Sequence, residues 1–293
     1  MPTSGGGAGG TPDLLPVAEA RSRILAGLTP GAAETSPLAE AIGRVLAADL
    51  PARLSLPADP VSAMDGYAAR SEDCAAAGSS LTRIGESAAG RPWTGVIGPG
   101  EAVRIFTGAV VPDGADCIIL QEDVEASSEE DGAIVTIREV PQKGRFIRPE
   151  GLDVTAGDII LTEGTMMSAR LIALATSAGH VTASLYPRPH IGILSTGDEL
   201  VSPGDTPERG QIVSSNATYL SAFVRACGGV PVELGIARDR PGAMLDALRS
   251  APAPLDLVVT TGGASVGTHD HVVDDLSSTG TELGFWKIAM RPG

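Results

Sequence analysis

Leu257-Val258-Val259-Thr260-Thr261-Gly262-Gly263-Ala264-Ser265-Val266-Gly267-Thr268-His269-Asp270 is the stretch from which the rest of the chain is read. Its short apolar run ends in Thr and Gly, the pattern of a strand buried in a parallel sheet. The glycines allow a sharp turn and let a ligand come close to the backbone. Asp270 stands at the start of a helix predicted over residues 271–276. A strand, a glycine turn and a helix N-terminus together offer unpaired N–H groups and a positive dipole end to an anion. A tight turn that binds nothing has the same local signature.

Working outward, strands predicted at 191–194, 230–236 and 256–260 alternate with helices at 214–227 and 241–249. Pro241 lies in the first turn of its helix and Gly228 lies past the end of the other. This alternation predicts a mostly parallel sheet covered on both faces, an α/β domain. In such sheets the ligand crevice lies at the carboxyl ends of the strands. Asp198 and Glu199, Asp239, and the Gly262–Asp270 stretch all fall there. Three acidic clusters at one edge favour a site over solvation alone.

Upstream, apolar residues Val17, Ala20, Ile24, Leu25 and Leu28 have a helical period and predict a helix over 16–28. A second short helix is predicted over 39–48. Strands at 102–106, 117–120 and 133–137, broken by Gly/Pro/Asp turns, predict a small β domain over roughly 53–148. A strand at 154–161 follows, then a helix at 168–178 capped by Ser168 and closed by Gly179. Two segments of the β domain look more specific than its strands require. In Val61-Ser62-Ala63-Met64-Asp65-Gly66-Tyr67-Ala68 the Asp-Gly pair reads equally well as a hairpin turn. In Arg104-Ile105-Phe106-Thr107-Gly108-Ala109 a strand ends in a hydroxyl and a glycine.

The chain's 293 residues are enough for about two domains. With 43% hydrophobic and 19% charged residues the composition is that of a soluble globular protein. No apolar run reaches membrane-spanning length, so no membrane partner is expected. The 21 basic and 36 acidic residues give a net charge of −15, which leaves no basic footprint for nucleic acid. Phosphorylated ligands would need local devices: helix N-termini, a few Lys or Arg, or a cation held by carboxylates. Residues 1–11 are Ser/Gly-rich, without a basic start or apolar core, and predict a disordered tail rather than a signal peptide. Cys74, Cys117 and Cys227 are too far apart for a zinc knuckle and predict a reducing cytoplasm. The four histidines do not predict a metal site.

Gly263-Ala264-Ser265-Val266-Gly267 also matches the nucleophile elbow of an α/β-hydrolase. Chain order argues against that reading, because the acid and then the histidine must lie further along the chain, and the last histidine, His271, is almost adjacent to the serine. The alternative has no covalent nucleophile. Backbone N–H groups and the Ser265 hydroxyl hold a phosphate while carboxylates hold a cation or orient a polar reactant.

Five motifs in register then carry a resemblance: Ser62-Ala63-Met64-Asp65-Gly66-Tyr67-Ala68, Arg104-Ile105-Phe106-Thr107-Gly108, Ser195-Thr196-Gly197-Asp198-Glu199-Leu200, Gly262-Gly263-Ala264-Ser265-Val266-Gly267 with Asp270, and Lys287-Ile288-Ala289-Met290-Arg291-Pro292-Gly293. From about Leu14 onward the chain resembles the molybdopterin molybdenumtransferases, the MoeA family that also includes the E domain of gephyrin. The resemblance implies a three-layer α/β/α molybdopterin-binding domain, preceded by a helical and β N-terminal region with an inserted small β domain. In residue numbers this is a tail over 1–12, a linker and dimerisation domain from 13–52 and 149–188, the small β domain over 53–148, and the binding domain over 189–293. It further implies a cytoplasmic, elongated homodimer with its site between subunits, and the molybdopterin adenylyltransferase as a further partner. The implied reaction inserts molybdate into adenylylated molybdopterin and releases AMP, with magnesium as the cation.

Carried over position by position, the catalytic candidates are Asp65, Thr107, Asp153, Glu199, Asp239, Asp270, Lys287 and Arg291. Substrate-binding candidates are Ser62, Ser195, Thr196, Gly197, Asp198, Gly262, Gly263, Ser265 and Gly267. Glu199, Asp239 and Asp270 suit magnesium, since hard cations take oxygen ligands. Lys287 and Arg291 would bring positive charge to phosphate or molybdate, and Asp65 and Thr107 would close the site from the β domain. Val61 stands where many relatives have Asn. Family members continue beyond the Lys287–Gly293 motif into a C-terminal β domain, so the sequence reads as a fragment or truncated product that folds but turns over poorly. Two neighbouring functions share parts of this pattern. A molybdopterin adenylyltransferase would be essentially the α/β domain alone, and a gephyrin-like scaffold would not need the carboxylates.

Overall fold

In the computed structural model, residues 14–262, 275, 281, 282, 284, 285 and 288–290 are described. The predicted helix at 271–276 and the turn from Gly263 to Asp270 lie outside them, apart from Asp275. The labelled elements, in chain order, are α1 Val17–Ala26, β1 Gly66–Ala69, β2 Ser80–Ser87, β3 Glu101–Ile105, β4 Cys117–Leu120, β5 Val124–Ala126, β6 Ile134–Ile137, α2 Ala169–Ser177, β7 His190–Thr196, α3 Ser215–Ala226, β8 Val230–Ala237, α4 Ala243–Arg249 and β9 Leu257–Thr261. The chain divides into two compact units, Thr35–Leu185 and Met1–Glu34 with Tyr186–Gly293.

In the first unit a six-stranded sheet has the order β4-β1-β3-β2-β6-β5. All neighbours are antiparallel except β2 and β3. The short strand β1 is an inner strand, and its Gly-Tyr-Ala-Ala residues are all buried. One core on this sheet gathers Tyr67, Leu81, Cys117, Ile119, Val135 and Ile137, and another gathers Val103, Ile105, Ile118 and Ile97. Full burial of each large side chain contributes about 1.5–3 kcal/mol. The Asp65-Gly66 pair is not a hairpin turn: Gly66 opens β1 and pairs on both sides, with Ile105 and with Leu120.

A third core in this unit gathers Leu38, Leu46, Leu161, Met167 and Leu185, against which Leu171 and Leu174 of α2 pack. The predicted helix at 39–48 does not form. Only a single 3-10 turn, Leu38–Glu40, is present. Gly43 takes a left-handed φ of 70°, and the following backbone N–H groups bond outward, Gly43 to Met167 O and Leu46 to Thr165 O. Tertiary pairing therefore overrides a locally helical pattern. The predicted strand at 154–161 shrinks to Ile159–Leu161, because Gly157 at φ 96° turns the chain before it. Helix α2 starts as expected, with the Ser168 hydroxyl accepting from Leu171 N.

In the second unit β8-β7-β9 form a parallel sheet. Ile191 and Ile193 of β7 pack with Val224 of α3, whereas Leu194, of opposite parity, packs with Ala243 and Met244 of α4. Six of the seven residues of β7 are buried, which explains its continuous apolar run. Helix α3 is closed by Gly228 at φ 89°. Helix α4 begins at Ala243 rather than Pro241, after Gly242 at φ 79°. Helix α1 buries only Ala20; Val17, Ile24 and Leu25 are half exposed, and the chain beside it bridges Leu15 to Ile288.

Candidate functional site

Within the first unit, the end of the β1–β3 ladder brings two of the motifs together. Gly66 lies opposite Ile105, so Asp65 precedes the ladder and Thr107 follows it on the other strand. Two loops are then stitched across the gap. Ser62 N donates to Ala109 O at 2.9 Å, and Gly108 N to Ser62 O at 2.8 Å, with Gly108 in the left-handed region at φ 81°. The buried Ser62 hydroxyl donates to Met64 O at 2.6 Å, shaping the turn that presents Asp65. Asp65 Oδ1 accepts from both Thr107 N and Thr107 Oγ1, each at 2.7 Å.

The Thr107 backbone N–H and then its hydroxyl hold the Asp65 carboxyl below the usual carboxylate range; slight burial opposes them and the Arg104 charge assists. With a depressed folded value, the stabilisation these bonds give is present above the unfolded value and is lost as pH falls through the folded one. Thr107→Val is therefore expected to move the Asp65 carboxyl titration upward, measured by carbon-detected NMR. An unmoved midpoint would show that the hydroxyl does not serve as a donor to it.

Asp153 pairs with Arg148 at 2.6 Å, both side chains being substantially exposed. Arg148 lies in a two-residue strand, Ile147–Arg148, that pairs with Val61–Ser62, so this ion pair flanks the same motif.

Within the second unit, the carboxyl ends of β7, β8 and β9 carry the other candidates. Ser195 is fully buried, and its hydroxyl lies 3.0 Å from Ser214 Oγ and accepts from Thr261 Oγ1 at 3.3 Å. Thr196 Oγ1 donates to Thr261 O at 3.3 Å. These bonds tie the ends of β7 and β9 to the residue that precedes α3. Gly262 sits at φ 88°, and a Cβ there would overlap Thr196 O and stand 2.8 Å from its hydroxyl, so only glycine fits. Gly197 N donates to Ala237 O at 3.1 Å, and the Glu199 carboxylate lies over the Gly197 Cα.

Asp198 and Asp239 are brought together by reciprocal bonds. Asp198 N donates to Asp239 Oδ2 at 3.4 Å, and Asp239 N to Asp198 Oδ1 at 3.2 Å. Arg238 clamps the same loop, donating to Asp198 O at 2.9 Å and Leu200 O at 3.3 Å. All three side chains are exposed, as at the open crevice of a parallel sheet. Asp270, Lys287, Arg291, Gly263, Ser265 and Gly267 lie outside the described residues. Among the described residues no group of three or more His, Cys, Asp or Glu stands together as a metal site. Sequence reasoning missed Arg148, Arg238 and the Ser214 and Thr261 hydroxyls that both bond to Ser195; only the strand-end position of Thr261 pointed to any of them.

The described geometry can be set beside known proteins. Residues 15–179 match the profile of the MoeA N-terminal region (domain I and II), and residues 192–293 that of the "Probable molybdopterin binding domain". The chain belongs to the MoeA family. A molybdopterin molybdenumtransferase from Nostoc sp. is 37% identical to this MoeA-family chain over 236 residues, covering 79% of the chain and 53% of the relative. One from Haemophilus influenzae is 36% identical over 281 residues, covering 96% and 68%. The solved structure of a molybdopterin biosynthesis MoeA protein from Pyrococcus horikoshii superposes with a TM-score of 0.78 at 29% identity, covering 91% of this chain and 67% of that one. The chain thus spans about half to two thirds of the length of these relatives. No described helix is long and apolar enough to cross a membrane.

Proposed function

We propose that this chain acts in molybdenum cofactor biosynthesis as a molybdotransferase: adenylylated molybdopterin and molybdate are the substrates, and AMP and the molybdenum cofactor are the products. The observation that carries the reading is the acidic pair Asp198–Asp239 at the carboxyl ends of parallel strands, inside the segment that matches a molybdopterin-binding domain. Gly262, at the end of β9, approaches Thr196 so closely that a Cβ would overlap its carbonyl oxygen, and a glycine turn following it would offer backbone N–H groups to an anion. Ser265 contacts phosphate rather than attacking it, and Lys287 and Arg291 supply the positive charge that a chain of net charge −15 otherwise lacks. Asp65, ionised and held by Thr107, serves as an oriented acceptor. Asp153 with Arg148 fixes the neighbouring strand.

Magnesium suits the chemistry of the candidate donors: Asp239, Glu199 and Asp270 would hold it, since carboxylates are the hard oxygen ligands such an ion takes. When bound it would supply charge neutralisation at phosphate oxygens. The opposite parity of the β7 side chains that meet α3 and α4 supports a three-layer α/β/α arrangement for residues 189–293. Residues 13–52 with 149–188, and 53–148, would be the linker and small β domains. We place the protein in the cytoplasm as a homodimer that receives its substrate from the adenylyltransferase.

The test is release of AMP from purified adenylylated molybdopterin by this chain with magnesium and molybdate, separated chromatographically. AMP release that depends on molybdate supports the transferase. Consumption of ATP and molybdopterin with release of pyrophosphate would overturn it in favour of the adenylyltransferase. No turnover of either substrate by folded protein would favour the scaffold.

A further inference from the structure

We propose that Arg104 is a positioning residue that locks the Asp65–Thr107 pair from behind, by joining the carbonyl of Gly66 to the side chain of Gln121. The β1–β3 ladder ends at Gly66 and Ile105, so on the β3 side no strand pairing holds Asp65. Arg104 lies directly opposite Tyr67 in this ladder and reaches across it. One guanidinium nitrogen donates to Gly66 O and the other to Gln121 Oε1, each at 2.8 Å. Gln121 in turn donates its backbone N–H to Asp65 O at 3.2 Å. A single planar group therefore bears on two successive carbonyls, that of Gly66 directly and that of Asp65 through Gln121.

The guanidinium is itself prevented from turning. Its carbon lies 4.6 Å from the centroid of the Phe106 ring and 5.2 Å from that of Tyr67, both within cation–π range. Phe106 is the residue before Thr107, so the stack also steadies the backbone that donates to Asp65. A lysine could supply the charge but not the planar fork. Arg104, Tyr67, Phe106 and Gln121 line one cleft of about 500 Å³ together with Arg83, Glu86 and Glu129. Arg83 is occupied there by Glu86 and Asp131, whereas no carboxylate within ion-pair distance of Arg104 is found among the described residues. The Arg104 charge also favours the ionised Asp65 carboxyl, after the two bonds from Thr107. Its link to turnover rests on the transferase reading; its link to Asp65 does not.

The experiment uses the whole chain and two variants, Arg104→Met and Arg104→Lys. The first keeps a side chain of similar reach over the rings without charge or donors; the second keeps the charge without the fork. Arg104→Met is expected to raise the Asp65 carboxyl titration midpoint and to speed hydrogen exchange at the Thr107 amide about tenfold, the size of one lost charged hydrogen bond. Arg104→Lys should restore the midpoint but not the amide protection. In both, amides of β2 should exchange as in the unaltered protein, which separates positioning from general loosening. If AMP release is present, both variants should lower kcat more than they raise KM. An Asp65 midpoint and Thr107 exchange unchanged in folded Arg104→Met would overturn the proposal, as would equal loosening of β2. Absence of AMP release from the unaltered chain would count against the transferase alone, because the two NMR readings do not depend on it.

Discussion

Gly66→Ala is expected to destabilise the small β domain by about 3 kcal/mol or more, at or beyond the top of the range for overpacking. Strand β1 runs between β3 and β4, and its first residue lies against the backbone of β4. A Cβ at Gly66 would overlap the Ile119 carbonyl oxygen and stand 2.9 Å from its carbon and 3.2 Å from the Leu120 Cα. These are main-chain atoms of a buried strand and cannot swing aside as the end of a side chain could. Relief would require β4 to withdraw from β1, which breaks its ladder and opens the core around Ile118 and Ile119. Urea unfolding followed by tryptophan fluorescence in a Trp286→Phe background, so that Trp93 alone reports, measures the effect. Gly90→Ala is the control: φ there is 75° but nothing lies within 4 Å of the added carbon, so it costs only the backbone term of about 1–2 kcal/mol. Equal midpoints for the two variants would show that the close approach at Gly66 is not rigid.

The same glycine marks the limit of what the sequence could reveal about the fold. Strands β7, β8 and β9 were legible because buried parallel strands are written as unbroken apolar runs. Strand β1 was not, since Gly66 and two alanines allow neighbouring strands close but have no strand propensity of their own. Strand β2 escaped for a different reason. Its buried positions are Leu81, Arg83, Gly85 and Ser87, so the burial alternates while hydrophobicity does not. Arg83 can sit there only because Glu86 and Asp131 neutralise it, a fact set by residues up to 48 positions away. The 39–48 stretch erred in the other direction, its helical spacing defeated by outward hydrogen bonds to residues 165 and 167.

For the candidate site, residue types and strand ends pointed to Asp198, Asp239 and Gly262, because in a parallel sheet position along a strand fixes position in the crevice. Pairings across the chain were not legible. Nothing local assigns Thr107 to Asp65, 42 residues earlier, or Arg104 to Gly66. The Ser62 hydroxyl is engaged by its own turn, which a motif match alone does not reveal. Sequence therefore located candidate positions along the strands but not what each side chain touches.

Asp239→Asn should lower AMP release about a hundredfold while leaving the fold intact. The asparagine Oδ1 can still accept from Asp198 N, and the Asp239 backbone N–H still donates to Asp198 Oδ1, so the reciprocal loop closure survives. Arg238 continues to clamp Asp198 O and Leu200 O from the neighbouring position. What is lost is one negative charge among the proposed magnesium ligands. Removing only an outer-shell partner of a metal site costs about 10- to 100-fold, so loss of a direct ligand's charge belongs at the upper end or beyond. The deficit should shrink as magnesium is raised, because the remaining carboxylates still bind it more weakly. Asp239→Ala breaks the loop as well and should not be rescued by magnesium. Circular dichroism identical to the unaltered protein, with AMP release titrated against magnesium, separates charge from loop geometry. Undiminished release by Asp239→Asn at limiting magnesium would remove Asp239 from the ligand set and leave it a purely structural partner of Asp198.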